Sequence, residues 1–161
     1  MSVHTSKNAE LFLKALEDVW VAEQTWHGSP NNAVWHCHQA VEKTMKGFLR
    51  CLGEEYDYGH DLNELAEVIR PHYMLSEDND KNILFIEHYN VRLRYKNMPN
   101  DPSAEDAKIA ISRTKQILQE YNGNPKIAQF MDEAKEVHLK ILKANYEKHS
   151  ELDLSEGKPK D

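Results

Sequence analysis

Apolar residues recur every three to four positions along most of this 161-residue chain, and no strand-like alternation of apolar and polar residues persists. This periodicity is typical of amphipathic helices and points to an all-α fold. Glycine and proline, six of each, lie mainly between the periodic stretches, where they mark the ends of helices. We therefore predict an up-and-down antiparallel bundle of about five to six helices.

Capping residues predict where these helices begin and end. Serine, asparagine and aspartate accept hydrogen bonds from the free N–H groups of a first turn, and glycine often follows a last turn. The second predicted helix starts with Ser29 and Pro30 and ends before Gly53. The other helices are predicted to begin at Ser6, Asp61, the stretch SEDND at 76–80, Ser103 and Asn124. The fourth helix is predicted to continue to about residue 96, and its core-facing residues are Ile83, Leu84, Ile86 and Val91.

One domain accounts for a chain of this length. We predict a single helical domain over residues 1–149, with a core at 7–121 and an additional C-terminal helix at 124–149. The remaining residues, 150–161, are polar and are predicted to be a disordered tail.

Three features predict a cytoplasmic protein. No apolar run approaches the roughly 18 residues that a membrane span needs. The N-terminal residues lack the charged-then-apolar order of an export signal. Cys37 and Cys51 are predicted to lie on one helix, about 21 Å apart, which is too far for a disulfide. Both are therefore expected to be reduced.

The stretch WHCHQAVEKTMKGFL at residues 35–49 places two histidines and a cysteine close together in sequence. A helix turns about 100° per residue, so His36 and His38 point about 200° apart and cannot share one metal ion. We predict no metal site and no cofactor. Gly47 lies within the helix, which indicates close approach of another helix or a ligand. The predicted core stripe of this helix is Val34, Cys37, Val41, Met45, Phe48 and Leu52.

Basic side chains form a second stripe on the same helix. Charge is also sorted along the chain, whose net charge is −7: residues 54–80 contain nine acidic residues and one arginine, whereas residues 81–96 contain four basic residues and one acidic residue. If the two basic regions pack together, they form an anion site suited to a phosphate. The alternative is an ordinary solvated helix face. The polar stripe consists of Gln39, Lys43, Lys46 and Arg50, and the arginines of the second basic region are Arg92 and Arg94.

Three motifs together resemble the HEPN family, the "higher eukaryotes and prokaryotes nucleotide-binding" domain. They are HQAVEKTMKGFL, then GHDLNELAEVI, then YNVRLRY followed by a loop and SAEDAKIAISRTKQIL. The resemblance covers about residues 7–120 and does not extend to the helix after Asn124. The residues that match the family pattern are Gln39, Glu42, Lys43, Lys46, His60, Asp61, Leu62, Arg94 and Tyr95.

The resemblance implies a helical bundle that forms a homodimer and binds nucleotides or RNA. It also implies a small nucleotidyltransferase as protein partner, in a toxin–antitoxin pair. One branch of the family consists of metal-independent ribonucleases that carry an arginine followed, after four to six residues, by a histidine. No arginine of this chain is followed by a histidine at that spacing. Asn97 stands at that spacing after Arg92. An amide has no pKa near neutrality, so Asn97 cannot replace the histidine as acid or base.

We therefore expect a non-catalytic or weakly active module that binds a nucleotide or RNA. Tyr95 is expected to stack on a base. A ribonuclease toxin is one alternative, with His88 as the fallback catalytic residue because it lies one helical turn before Arg92. His88 is otherwise expected to be a partly buried histidine on the stripe of Leu84. A structural helical adaptor is the other alternative. The predicted nucleotide- or phosphate-binding residues are Gln39, Lys43, Lys46, Arg92, Arg94 and Tyr95.

Overall fold

A computed structural model describes residues 4–54, 59–90 and 101–156 of the chain. These residues form α-helices and contain no strand, which confirms the all-α prediction. The helices are α1 (Lys7–Thr25), α2 (Pro30–Cys51), α3 (Leu62–Ile69), α4 (Glu77–Glu87), α5 (Ala104–Asn122) and α6 (Ala128–Glu156).

The long helix α2 lies at the centre of the bundle and packs against α1, α3, α4 and α5. It runs antiparallel to α1: Arg50 near its end donates to the carbonyl of Lys7 at 3.3 Å, and Lys43 further back reaches Asp18. Helix α4 packs against α5, and α6 packs mainly along α1. The polar face of α2 is therefore bordered by α1 on one side and by α3 and α4 on the other.

The core of the bundle confirms the predicted role of Gly47. A Cβ atom on Gly47 would lie 2.8 Å from the ring of Phe12, which is fully buried on α1. Glycine is thus required for α1 and α2 to approach this closely. Next to this contact, the rings of Phe48 and Tyr121 pack with centroids 5.4 Å apart and join α2 to α5.

Several predicted caps are present. The backbone N–H of Asp106 donates to the Ser103 hydroxyl at 3.0 Å, and the N–H of Ser103 donates to Asp106 at 2.9 Å, which makes a reciprocal capping box. Asp61 accepts from the N–H of Asn63 at 2.8 Å at the start of α3. Gly53 has φ +78 and ends α2, a conformation that favours glycine.

The prediction for α4 is wrong at its C-terminal end. The helix stops at Glu87, where the side chain of Asn90 turns back and donates to the Glu87 carboxylate at 2.6 Å. The N–H groups of Tyr89 and Asn90 donate three residues back, to the carbonyls of Ile86 and Glu87, and bonds of this kind tighten the last turn of a helix. Leu84 is 60% exposed and does not face the core, because α4 turns Ile83 and Ile86 inward. The predicted core residue Val91 lies outside the described residues.

The boundaries of α6 also differ from those predicted. Residues 124–127 form a turn, in which the N–H of Ile127 donates to the carbonyl of Asn124, and the helix begins at Ala128. It continues to Glu156, so residues 150–156 are helical and not a disordered tail. The stretch SELDLSE is free of glycine and proline until Gly157 and contains good helix formers. Within the described residues, no helix has the length and apolar character needed to cross a membrane.

Candidate phosphate site at the junction of α2, α3 and α4

The first polar cluster on α2 is directed toward α1. Lys43 donates to Asp18 at 2.6 Å, and Nδ1 of His36 lies 2.7 Å from the other carboxylate oxygen. Asp18 is buried in spite of its charge, which two such partners compensate. The ammonium of Lys43 is therefore already engaged within the bundle.

The second cluster faces α3 and centres on Glu42. This carboxylate is almost fully buried, yet its Oε1 accepts from the ammonium of Lys46 at 3.0 Å and contacts Nδ1 of His60. The side chain of His60 is 71% exposed. One buried carboxylate thus orients an accessible imidazole and an ammonium group side by side.

A second carboxylate, that of the partly buried Glu87, joins the three helices. It accepts from Nε2 of His38 at 2.9 Å, from the N–H of Leu62 at 3.0 Å and from Asn90. Burial alone would raise the pKa of Glu87, but these hydrogen bonds outweigh it and place its pKa below the ordinary value. We call Glu42, Lys46, His60, Glu87 and Asn90 the junction site.

His38, which contacts Glu87, is deeply buried. Its side chain is 1% exposed, and its Nδ1 atom makes no hydrogen bond to any described residue. His36 contacts Asp18 on α1, whereas His38 contacts Glu87 on α4, so the predicted divergence of the two rings is confirmed. Among the described residues, no three histidine, cysteine or acidic side chains converge in the way a metal ion requires.

The structure separates the predicted binding residues into different environments. Lys43 and Lys46 lie on α2 but contact different carboxylates, and Gln39 is half-buried between them and the start of the helix. His88 is exposed at the end of α4, so its predicted partial burial is wrong; α4 ends at the preceding residue, and the ring is left at the surface. The predicted residues Arg92, Arg94 and Tyr95 lie outside the described residues.

The carboxylates that organise this region were not proposed as site residues from the sequence. Asp18 and Glu87 are ordinary acidic residues of helices, and only the tertiary fold brings them to α2. The sequence does contain a signal for three residues of this region. His38, Glu42 and Lys46 follow one another at intervals of four residues and therefore share a helix face.

With this geometry established, comparison with known proteins gives the family. The profile of the HEPN domain matches residues 7–124. The chain belongs to the HEPN domain family. The match includes α1 to α5 and every residue of the junction site, whereas α6 lies beyond it.

A solved structure supports the same HEPN fold. The crystal structure of an archaeal HEPN homologue superimposes with a TM-score of 0.61 at 21% sequence identity, over 74% of this chain and 98% of the homologue. At this identity the likeness concerns the fold alone. No curated protein matches the chain.

Proposed function

We propose that this HEPN domain binds the phosphate groups of a nucleotide or of RNA at the junction site. The observation that carries the proposal is the pairing of His60 and Lys46 on one buried oxygen of Glu42. An ammonium group has three donors, and Glu42 uses one of them. The remaining donors of Lys46 suit a phosphate oxygen arriving from solvent.

The neighbouring segment of the chain supports the same ligand. Asn90, which donates to Glu87, is followed after one residue by Arg92 and then by Arg94 and Tyr95. We include these three residues in the proposal on sequence grounds, as additional cations and as an aromatic ring for a base. Lys43 and Gln39 belong to the proposal in the same way, although Lys43 would have to exchange Asp18 for the ligand.

Binding of labelled single-stranded RNA, followed by fluorescence anisotropy, tests the proposal. Lys46→Ala and Arg94→Ala should each weaken binding about tenfold or more, which corresponds to about 1.4 kcal/mol. Lys148→Ala, an exposed cation on α6, is the matched control and should change little. Affinity should also fall as salt rises, because released counterions contribute to it. Lower stability with unchanged affinity in Lys46→Ala and Arg94→Ala would refute a phosphate site.

A second function, metal-independent RNA cleavage, is favoured by one feature of the junction site. His60 presents an exposed imidazole oriented by a buried carboxylate, an arrangement that serves general acid–base catalysis. The missing arginine–histidine signature argues against cleavage, so we expect purified protein to leave RNA intact. Cleavage that persists with a chelator present and disappears in His60→Ala or in His88→Ala would establish the second function instead.

The family also motivates proposals about assembly. We propose a homodimer with a dissociation constant near or below about 1 µM, equivalent to about −8 kcal/mol, and a small nucleotidyltransferase as partner in a toxin–antitoxin pair. Light scattering at tens of micromolar tests the dimer, and a single monomer mass would rule it out at that affinity. Identification of the neighbouring gene and co-purification with its product, compared with an unrelated nucleotidyltransferase, test the partner.

A further inference from the structure

A cleft beside Trp20 lies between α1 and the C-terminal half of α6, and it contains no residue of the junction site. Its volume is about 640 Å³. The lining is largely apolar: Trp20 and Val21 come from α1, and Ile141, Leu142 and Tyr146 come from α6. The cleft therefore depends on a helix that lies outside the HEPN match.

Apolar side chains on both walls of the cleft are open to solvent. Trp20 is 42% exposed, and Tyr146 is 74% exposed. Leu139, which is 67% exposed, precedes Leu142 and Tyr146 at intervals of three and four residues, so these three side chains share one face of α6. A contiguous exposed apolar surface of this kind typically marks an interaction site.

The same half of α6 has little cover within the described part of the chain. Residues 143–149 are all exposed, yet the helix continues without a break to Glu156. Most of the stability of a helix in water comes from packing of its apolar face against another element, and an isolated helix shorter than about 12–15 residues is marginal. A second helix lying in the cleft would supply this packing, as an amphipathic helix does in an apolar groove.

The charges along α6 indicate which helix this is. Residues 139–149 contain three lysines and one glutamate, whereas residues 150–156 contain three acidic residues and no basic residue. One helix thus carries a basic stretch together with an acidic stretch that complements it. A second copy of α6 therefore matches the first in charge without the need for any other protein.

Only one direction of pairing makes these charges complementary. Two parallel α6 helices would place the basic stretches side by side and the acidic stretches side by side, and such like-charge contacts are costly. In the antiparallel direction, a two-fold axis near residue 147 places the basic stretch of each copy beside the acidic end of the other. The same contact then occurs twice, as in an isologous interface. Residues 139–156 would pair over about 27 Å, at about 1.5 Å per residue.

We infer that the cleft and the C-terminal half of α6 form an interface with a second copy of this chain, in which the two α6 helices pack antiparallel. The apolar face of each α6 covers the cleft of the other copy beside Trp20, and the basic stretch of each helix lies against the acidic end of the other. This interface is separate from the homodimer proposed from the family, because α6 lies outside the HEPN match, and it does not depend on the function proposed for the junction site.

Sedimentation equilibrium of the full chain tests the interface with two double variants of α6. Lys140→Glu with Lys143→Glu makes both stretches acidic, and Glu151→Lys with Asp153→Lys makes both stretches basic. Each double variant alone should raise the dissociation constant of the interface by about tenfold or more. An equimolar mixture of the two should recover the wild-type value to within about threefold, because each acidic stretch then faces a basic one.

A matched control makes the same change in net charge away from the interface. Lys81→Glu with Lys126→Glu alters one exposed residue on α4 and one in the turn before α6. Lys81 and Lys140 each contact a glutamate four residues earlier at 3.5 Å on the surface, so control and test variants lose the same kind of ion pair. The control should keep the wild-type dissociation constant within about twofold.

The measured masses distinguish this interface from the homodimer proposed from the family. If both contacts form, the wild type is a tetramer and each α6 double variant alone is a dimer. If only the α6 contact forms, the wild type is a dimer and each α6 double variant alone is a monomer. A wild-type chain that stays monomeric at about 200 µM would overturn the inference, as would equal masses for the wild type and both α6 double variants. Weakened association without recovery in the mixture would also overturn it, since antiparallel pairing requires that recovery.

Discussion

The carboxylate of Glu87 is the acceptor on which the meeting of α2, α3 and α4 depends, and its removal tests the structure directly. Glu87→Ala removes one acceptor from each of three donors: the His38 ring, the Leu62 N–H and the Asn90 amide. The His38 side chain is 1% exposed, so water cannot easily replace the carboxylate there. The variant therefore leaves a buried polar ring with no described partner on either nitrogen.

The expected cost follows from this burial. Leaving a buried donor without its acceptor typically costs about 1–3 kcal/mol. Three donors lose an acceptor, but the Glu87 side chain retains 14% exposure and water can reach part of the vacated space, so we expect a loss of about 2–3 kcal/mol. Urea unfolding followed by far-ultraviolet circular dichroism measures this loss. It is a large part of the roughly 5–15 kcal/mol that stabilises a typical domain.

A matched control removes an acidic residue that has only an exposed partner. Glu67 contacts Arg70 at 3.0 Å on the surface of α3, and both side chains are more than half exposed. Glu67→Ala should cost less than about 1 kcal/mol. A loss below about 1 kcal/mol for Glu87→Ala as well would refute the role assigned to Glu87, since an exposed pair costs no more.

The pH dependence of the same variant gives a second check. The folded-state pKa of Glu87 is lowered from its ordinary value of 4.5. Its ionised form therefore contributes stability above about pH 4.5, and this contribution is lost as the pH falls through the lowered folded-state value. The stability difference between wild type and Glu87→Ala should narrow below about pH 4.5. A difference that stays constant from neutral to strongly acidic pH would contradict this linkage.

Two further predictions concern the core of α2. Gly47→Ala should lower the free energy of unfolding by up to about 2 kcal/mol, because overpacking against Phe12 costs about 1–3 kcal/mol and the better helix former returns about 1. Gly28→Ala, with no atom within 4 Å of the added carbon, should be close to neutral in the same urea titration. Burial raises the pKa of Cys37 to about 12 and that of Cys51 to about 11, so iodoacetamide at mildly alkaline pH should label both far more slowly in the folded chain than in urea. Mass spectrometry measures the labelling, and equal rates in the two states would show that the thiols are accessible.

The helices could largely be predicted from the sequence because their signals are local. Ser29 with Pro30, Asp61, and the Ser103–Asp106 capping box each act within a few residues of themselves, and all three starts are confirmed. Two features of α4 were predicted wrongly, its C-terminal end and the burial of Leu84. Helix α4 ends in a turn closed by the N–H groups of Tyr89 and Asn90, and the exposure of Leu84 depends on which face α4 presents to α5.

The candidate site could be predicted only in part, because charge on a helix face does not reveal its partners. Lys43 and Lys46 lie about one helical turn apart on α2, as their spacing requires, but they contact different carboxylates. Nothing local indicates that Asp18, 25 residues earlier in the chain, neutralises Lys43. The buried carboxylate Glu42 meets His60 only because α3 packs against α2.

The sequence by itself determined the helical class, most helix starts, the close approach at Gly47 and the family, since periodicity, caps and motifs are properties of neighbouring residues. Tertiary structure alone decided which charges are compensated, which imidazole is exposed and where a cleft opens beside Trp20. These properties arise from residues far apart in the chain, whose distances are set by how the helices pack.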